Sequence, residues 1–387
     1  MQTLYLDNAA TSFPKPVVVC DAVDTWMRQG SGAYGRTAGA AADAVGQMVE
    51  QTRHRLATLL DIPASSDIAF TFNCTDSLNL LLRGLLCLGE RVVTTTLEHN
   101  SVLRPLHQLM QEQQLLVDFV DCDPLTGIVD PNDIRHALRQ QPTRLVVITH
   151  ASNVLGTVQP IRAIADEAHA AGALVLLDAA QTAGHFPFSM RELDVDFLAT
   201  AGHKGLLGPT GTGLLAIRSG LAPQIRPMRC GGTGTASEQL LQPNEMPMRL
   251  ESGNLNLPGL AGLHAAAGWL TQQTIARVSQ HVELLTTRLR EQLQQIPGVT
   301  CYPQQSGASC GIVSFNIHEA DCREVATILD QSFHIVCRAG LHCAPLIHRQ
   351  LGTVRSGGTV RLSPGPLNSI EQIDLATDAV TQIAAAF

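Results

Sequence analysis

Short apolar segments alternate with amphipathic helical segments between residues 68 and 217, and this alternation is the feature that most constrains the fold. A chain with this pattern forms a sheet of mostly parallel strands, with the intervening helices packed on its two faces. We therefore predict an α/β fold built on a mostly parallel seven-stranded sheet flanked by helices. The predicted strands span residues 68–72, 91–95, 117–121, 145–149, 174–178, 197–201 and 212–217.

A second, smaller domain is expected because 387 residues exceed the size of one typical hydrophobic core. A long helical region covers residues 258–295, with at most one break near 271–274. We predict a large domain over residues 1–257, and a connecting helix with a small α+β C-terminal domain over residues 258–387. Within this division, packing of about the first 15 residues with the small domain is an alternative to packing with the large one. Ser369 and Gln372 form a capping-box pattern that predicts the start of the last helix.

Composition and charge argue against several classes of function. The formal net charge is −8, and no Lys- or Arg-rich run is interleaved with aromatic residues, so nucleic-acid binding is not expected. No window reaches about 18 uninterrupted apolar residues, and residues 1–16 show no charged segment followed by an apolar stretch, which predicts a cytoplasmic protein without a membrane segment. The ten cysteines are scattered without a CxxC pair, a pattern typical of reduced thiols rather than of disulfides or a zinc site.

One of these cysteines, Cys343, has unusual neighbours. It lies in the segment RAGLHCAP, residues 338–345, in which a basic side chain and an imidazole are near the thiol and a Gly and a Pro suit an exposed turn. Neighbouring positive charge stabilises a thiolate, so this segment indicates a reactive cysteine.

The stretch DFLATAGHKGLLGPTGTG, residues 196–213, places one lysine in a glycine-rich turn directly after a predicted strand. Only two of the 26 basic residues are lysines, Lys15 and Lys204, so the positive surface charge comes from arginine. A lysine amine with a lowered pKa forms a Schiff base with an aldehyde, whereas an arginine does not. A solvated loop amine is the ordinary interpretation of a turn lysine, but the His-Lys-Gly context favours a nucleophilic Lys204.

Polar side chains also follow other predicted strands, at the edge where parallel sheets bind ligands. Asp178 ends the apolar strand LVLLD, so its carboxylate is expected to be buried and to require a cation or a strong donor. A pyridinium nitrogen meets that requirement. Gln181 and Asn153 place amides near the same edge, although both also fit the role of turn residues.

Two further strand ends complete the pattern. Cys74 and Thr75 follow a strand and begin an apolar helix, whose free N–H groups suit a phosphate, although Thr75 and Asp76 also fit a simple N-cap. His99 follows the next strand and is placed to stack on a flat ring, or to serve as a structural hydrogen-bonding residue. A phosphate cradle, a ring partner, amides, a buried acid and a nucleophilic lysine together predict pyridoxal 5′-phosphate as the cofactor.

These motifs resemble those of the class V aminotransferase-like pyridoxal-phosphate enzymes, and among them the cysteine desulfurases and selenocysteine lyases. The resemblance extends over essentially the whole chain and implies the pyridoxal-phosphate-dependent transferase fold type I. The matching segments are YLDNAAT (5–11), Thr75, Glu98-His99, SNVLG (152–156), DAAQ (178–181), GHK (202–204) and RAGLHC (338–343).

The resemblance implies a role for each site residue. Lys204 is expected to be the Schiff-base lysine, Asp178 the partner of the pyridinium nitrogen, and His99 the ring-stacking residue. Cys343 is the implied sulfur acceptor. Gln181 is implied to contact the phenolic oxygen, and Thr75 and His203 the phosphate. Asn153 is implied to contact cofactor and substrate, and Arg361 the substrate carboxylate. Cys74, beside Thr75, is expected to be a further cofactor-binding residue.

Three positions depart from the family pattern. Ala201 stands where relatives commonly have a serine that contacts the phosphate. Asn254 stands where a threonine usually reaches the phosphate of the neighbouring subunit. The segment 34–39 lacks a histidine that often follows its Gly-Arg pair. The two lost hydroxyls predict weaker or rearranged phosphate binding and leave room for a changed substrate.

The leading hypothesis is a homodimeric cysteine desulfurase that converts L-cysteine to L-alanine and takes the sulfur onto Cys343 as a persulfide, for an acceptor protein or a thiol reductant. The alternative is a lyase for selenocysteine or another β-substituted amino acid, in which Cys343 is dispensable for some substrates. A third hypothesis is a sulfur-carrier or assembly protein with a structural cofactor, which intact Lys204, Asp178 and Cys343 disfavour.

Overall fold

The computed structural model of this protein describes residues 3–30, 32–35, 40–235, 237–305 and 307–387, without the side chains of residues 40–42. The strands in this part of the chain are β1 (Leu4–Tyr5), β2 (Ile68–Thr71), β3 (Arg91–Thr95), β4 (Leu116–Val120), β5 (Leu145–Thr149), β6 (Leu174–Asp178), β7 (Phe197–Ala201), β8 (Gly213–Ile217), β9 (Val299–Tyr302), β10 (Val313–Ile317), β11 (Ile335–Val336), β12 (Arg338–Gly340) and β13 (Thr359–Leu362). The α-helices are α1 (Val17–Gln29), α2 (Ala40–Leu60), α3 (Cys74–Leu85), α4 (Asn100–Gln113), α5 (Pro131–Leu138), α6 (Ile161–Ala170), α7 (Met190–Leu193), α8 (Leu257–Gln273), α9 (Ile275–Gln294), α10 (Cys322–Phe333), α11 (Pro345–Gln350) and α12 (Ile370–Ala384).

The central sheet has the strand order β2-β8-β7-β6-β5-β3-β4. Only β8 runs antiparallel to its neighbours within it, so the predicted seven-stranded, mostly parallel sheet is confirmed. In β5, Val146 and Ile148 belong to one hydrophobic cluster, whereas Leu145 and Val147 belong to a second. Successive side chains of a strand point to opposite faces, so both faces of the sheet are covered, as a parallel sheet requires.

Capping residues explain where several helices begin. Asp130 caps α5 by accepting from the Asn132 amide, with Pro131 in the first turn. The predicted capping box is present at α12, where Ser369 accepts from the Gln372 amide and Gln372 accepts from the Ser369 amide. Helix α5 ends at Leu138. None of the helices in the described ranges is both long and apolar enough to cross a bilayer.

A smaller set of elements surrounds an antiparallel sheet of order β12-β13-β10-β9. Helices α9, α10 and α12 contribute to a third hydrophobic cluster around this sheet. The N-terminal strand β1 pairs in parallel with β11, and Leu4 and Leu6 belong to that third cluster. The first residues of the chain therefore pack with C-terminal elements.

The predicted long helix is divided at Thr274, which adopts a φ of 62° and caps α9 by accepting from the Arg277 amide. Leu260 and Leu263 of α8 belong to the first cluster of the central sheet. Leu285 of α9 belongs to the cluster of the small sheet. The domain boundary at 257/258 stays a prediction, and from this packing we infer that the chain passes from one core to the other near Thr274.

A buried ion pair ties α2 to the segment that follows the central sheet. Arg53 donates from its two terminal nitrogens to the two carboxylate oxygens of Glu251, at 2.7 Å each. Neither side chain is more than 6% exposed, and the guanidinium carbon lies 4.3 Å from the Phe70 ring centroid. The Phe70 amide also donates to Glu251. Removing one member of such a pair leaves the other charge buried and uncompensated.

We therefore expect Glu251→Gln to lower the free energy of unfolding by about 3 kcal/mol, which urea denaturation measures. The matched control is Asp24→Asn, which breaks the exposed Arg28–Asp24 pair and should change stability by less than about 0.5 kcal/mol. Equal effects of the two substitutions would contradict this account of the buried pair.

Candidate active site

A cavity of about 440 Å³ opens at the carboxyl ends of the central strands, at the edge where a parallel sheet binds its ligands. Nine of the eleven residues singled out in the sequence line this cavity, and two do not. The nine are Cys74, Thr75, His99, Asn153, Asp178, Gln181, His203, Lys204 and Arg361.

Lys204 lies in the turn that follows β7, and its side chain forms part of the cavity wall. The turn needs glycine at two positions for different reasons. A side chain on Gly205 would collide with His185 and the Ala183 carbonyl, and Gly211 adopts a φ of 77°. Burial lowers the pKa of Lys204, and the cations of Arg361 and Arg338 lower it further against the opposing effect of Asp178. The amine is therefore biased toward its neutral, nucleophilic form.

Asp178 ends β6 and is only 4% exposed. Its Oδ1 accepts from the Ala180 amide at 2.9 Å and from the Cys74 thiol at 3.3 Å. Burial raises the pKa of Asp178, while the Ala180 amide, the Lys204 cation and the Cys74 thiol act in the opposite direction. A carboxylate in this position requires a further cationic partner to remain charged.

The start of α3 forms one wall of the cavity. Its N-cap is Asn73, whose side chain accepts from the Asp76 amide, so Thr75 and Asp76 are not the cap. Within the described residues, the Cys74 and Thr75 amides donate to no protein acceptor, as expected for the first N–H groups of a helix. These amides suit an anion, and Thr75 adds a hydroxyl that lies 2.7 Å from the Ser101 hydroxyl.

His99 is the N-cap of α4, and its Nδ1 accepts from the Ser101 amide at 3.0 Å. Burial lowers the pKa of His99 to about 3, and the cations of Lys204, Arg338 and Arg361 contribute. A neutral imidazole whose Nδ1 accepts a hydrogen bond carries its proton on Nε2. His99 thus presents an uncharged ring with one fixed tautomer to the cavity.

Arg361 reaches the cavity from β13 of the small sheet and is 1% exposed. It donates to the Asn153 carbonyl at 2.9 Å and to the Asp7 carboxylate at 2.7 Å. Its Nε is buried and has no hydrogen-bond partner in the described structure. A buried donor without a partner is costly, so this guanidinium is suited to an anionic ligand.

The N-terminal segment forms a wall that sequence reasoning did not assign a role. Its Ala9 carbonyl accepts from the Gln181 side chain at 3.2 Å, and Thr11 lies 3.1 Å from His203 Nδ1. The carbonyl of His203, next to Lys204 in the chain, accepts from the Ser12 amide and from Lys15 Nζ at 2.9 Å. Both lysines of the chain therefore lie at this turn. The YLDNAAT motif, which belongs to the family resemblance, could have indicated that this segment lies at the cavity.

Cys343 does not line the main cavity. It borders an adjoining cavity of about 350 Å³ that shares Thr75, His99 and Ser101 with the main one. Arg338 lines the main cavity and donates to the Cys343 sulfur at 3.4 Å, a link that the sequence indicated only as a nearby basic residue. The thiol thus lies beside the cavity that contains Lys204.

The backbone around Cys343 is held at two points. The Cys343 carbonyl accepts from the Asn100 amide at 2.6 Å, and the His342 carbonyl accepts from the Asn153 side chain at 2.6 Å. His342 and Cys343 both adopt a positive φ, 47° and 59°, which is uncommon for residues other than glycine. These contacts fix the direction in which the thiol leaves the backbone.

Asn254 is exposed and lines a small separate cavity together with Arg229, so this chain does not bring it to its own main cavity. That placement leaves open the predicted contact with a neighbouring subunit. Ala201 does line the main cavity, without a hydroxyl to offer. Of the segment 34–39, residues 36–39 lie outside the described residues.

Comparisons with known proteins agree with this geometry. The family model described as Aminotransferase class-V matches residues 4–375. The chain is 36% identical to a probable cysteine desulfurase of Methanothermobacter thermautotrophicus, over 98% of this chain and 94% of the relative. The apo structure of a cysteine desulfurase from Thermococcus onnurineus NA1 matches with a TM-score of 0.91 and 30% identity, covering 100% of this chain and 95% of that one. The cysteine desulfurase CsdA of Escherichia coli matches with a TM-score of 0.87 and 28% identity, covering 99% and 95%.

The lowered pKa of His99 predicts that its ring stays uncharged in mildly acidic solution. In nitrogen-15 NMR of histidine-labelled protein, with His99→Gln used for assignment, the His99 ring should remain neutral from about pH 8 to pH 5. An unfolded histidine binds a proton near pH 6.5, whereas the folded pKa is about 3, so His99 lowers the stability of the folded state as pH falls through that window. Protonation of His99 near pH 6.5 would contradict its assigned environment.

Proposed function

The chain belongs to the class-V aminotransferase family, and we propose that it is a pyridoxal-phosphate-dependent cysteine desulfurase that collects the sulfur of L-cysteine on Cys343. Family membership confirms the resemblance inferred from the sequence. The observation that carries the proposal is the contact between Arg338, which lines the cavity that contains Lys204, and the Cys343 thiol, because a desulfurase needs a thiol beside that cavity.

The residues of the main cavity fit pyridoxal phosphate. The unpartnered amides at the start of α3 suit the phosphate, and the neutral His99 ring suits stacking on a pyridine. Asp178 has one carboxylate oxygen, Oδ2, that accepts no hydrogen bond from the described residues, so it is available to a ring N–H. When bound, the cofactor supplies an electrophilic aldehyde and an electron-withdrawing ring.

Three side chains of this protein would handle the substrate. Arg361 holds the α-carboxylate, since its guanidinium lines the cavity and its Nε has no hydrogen-bond partner among the described residues. Lys204 would hold the aldehyde of the cofactor, and its amine would move the proton at the α-carbon of the substrate. Asp178 would pair with the ring nitrogen and so favour its cationic form.

The sulfur transfer balances without an added oxidant. The Cys343 thiolate attacks the substrate sulfur, so that a sulfur–sulfur bond forms while the carbon–sulfur bond breaks. The carbon takes up a proton, and the net products are L-alanine and a persulfide on Cys343. Arg338 donates a hydrogen bond at 3.4 Å to the sulfur that makes this attack. A lyase for selenocysteine or another β-substituted amino acid is the alternative, and it differs in not needing this thiol for every substrate.

We further propose a cytoplasmic homodimer that passes the persulfide sulfur to an acceptor protein or a thiol reductant. The exposed position of Asn254 supports a contact across a dimer interface. The ten cysteines are all free, which suits a reducing compartment.

The function is tested by a single-turnover assay of the cofactor-loaded protein with L-cysteine, in which alanine is quantified and persulfides are mapped by mass spectrometry. We expect one alanine per active site and a persulfide on Cys343. Cys343→Ser should abolish both, while the control Cys337→Ser, which changes a nearby cysteine outside both cavities, should retain them. Alanine formation that ignores Cys343→Ser would reject the desulfurase and favour the lyase.

Arg361→Lys should raise KM for L-cysteine by about 10- to 100-fold, because lysine keeps the charge but lacks the planar fork that binds a carboxylate. Steady-state kinetics of alanine release measures this change. Arg355→Lys, an exposed arginine of the same domain, provides the control. An unchanged KM in Arg361→Lys would show that the substrate carboxylate binds elsewhere.

A further inference from the structure

Cys74 is the only thiol among the residues that line the main cavity in the described structure. It occupies the first turn of α3 and is 7% exposed. Its thiol donates to Asp178 Oδ1 at 3.3 Å, while its own backbone amide, at the helix start proposed to bind the phosphate, donates to no acceptor among the described residues. One residue therefore connects the two ends of the site, the phosphate cradle and the carboxylate.

We propose that Cys74 is a positioning residue, whose thiol holds Oδ1 of Asp178 so that Oδ2 is left to receive the ring N–H of the cofactor. This inference rests on the proposed function, since it assigns the ring nitrogen to Asp178. It concerns the orientation of the carboxylate, and Cys74 itself touches neither the substrate nor Cys343 in this assignment.

The hydrogen bonds of Asp178 are divided unequally between its two oxygens. Both donors, the Ala180 amide and the Cys74 thiol, reach Oδ1. Within the described residues Oδ2 accepts from none, although Asp178 lines the cavity. A carboxylate held by two donors on one oxygen has a fixed plane, so the direction of Oδ2 is set before the cofactor binds.

The thiol proton, rather than the volume of the side chain, distinguishes Cys74 in this role. Burial and the neighbouring Asp178 charge raise the pKa of Cys74 well above its usual value, so the thiol remains a donor at neutral pH. Cys74 otherwise packs in an apolar cluster that contains Ala180 and Ala201, where an alanine would also be accommodated. Because S–H is a weak donor, it orients the carboxylate while neutralising little of its charge.

Two substitutions distinguish the effect of the thiol proton of Cys74 from the effect of its side-chain volume. Cys74→Ala removes the donor, and Cys74→Ser retains a donor at nearly the same place. We expect Cys74→Ala to lower kcat for L-cysteine by about 3- to 10-fold with an unchanged KM, and Cys74→Ser to restore kcat to within about twofold of the original protein. The absorbance maximum of the bound cofactor should shift in the alanine variant and return in the serine variant. Cys301→Ala, in the core of the small sheet, controls for the loss of a buried cysteine.

An infrared measurement on the cofactor-free protein tests the geometry independently of catalysis. The difference spectrum between the original protein and Cys74→Ala isolates the S–H stretching band of Cys74. The band should lie at the lower frequency of a hydrogen-bonded thiol, and it should move to the free-thiol position when Asp178→Ala is introduced.

A free-thiol band in the original protein would overturn the proposal, and so would equal loss of kcat in the alanine and serine variants. If the original protein forms no alanine from L-cysteine, the proposed function fails. The infrared band and the cofactor absorbance still decide whether Cys74 positions Asp178.

Discussion

The buried carboxylate of Asp178 is the constraint on which the rest of the site depends. Removing a charge from water is costly unless a cation and hydrogen bonds compensate it. The protein supplies the Ala180 amide, the Cys74 thiol and the cation of Lys204, and burial still raises the pKa of this carboxyl group. In the proposed function, a cationic ring nitrogen completes the compensation. The buried acid at the end of β6 therefore favours a cationic ligand in a cavity of suitable size.

The N-terminal segment contacts elements around the small sheet as well as the turn that carries Lys204. Its strand β1 pairs with β11, and Asp7 accepts a hydrogen bond from Arg361, which lines the main cavity. A few residues later, Ser12 and Lys15 bond the carbonyl of His203 at the turn that carries Lys204. One short segment thus sets the positions of the proposed substrate-binding arginine and of the nucleophilic lysine.

Local patterns in the sequence were sufficient for the central sheet and for the residues at its strand ends. Strand LVLLD and the His-Lys-Gly turn each indicate their role within a few residues, and the structure brings both to one cavity. Contacts between distant parts of the chain were not predictable in this way. Asp7 and Arg361 are 354 positions apart, and no periodicity records their pairing. The two-residue strand β1 and the three-residue strand β12 are likewise too short to show an alternating pattern.

The role of Lys204 is the central claim, and the composition of the chain makes it directly measurable. Reduction of the cofactor-loaded protein with borohydride fixes the cofactor to the amine that holds its aldehyde, and peptide mapping then identifies the modified lysine. Lys15 and Lys204 are the only lysines in the sequence, and both lie at the same turn, so the assignment is a choice between two peptides. The pyridoxyl group is expected on Lys204 and absent from the Lys204→Arg protein. Its recovery on Lys15, or the absence of any bound aldehyde, would contradict the account.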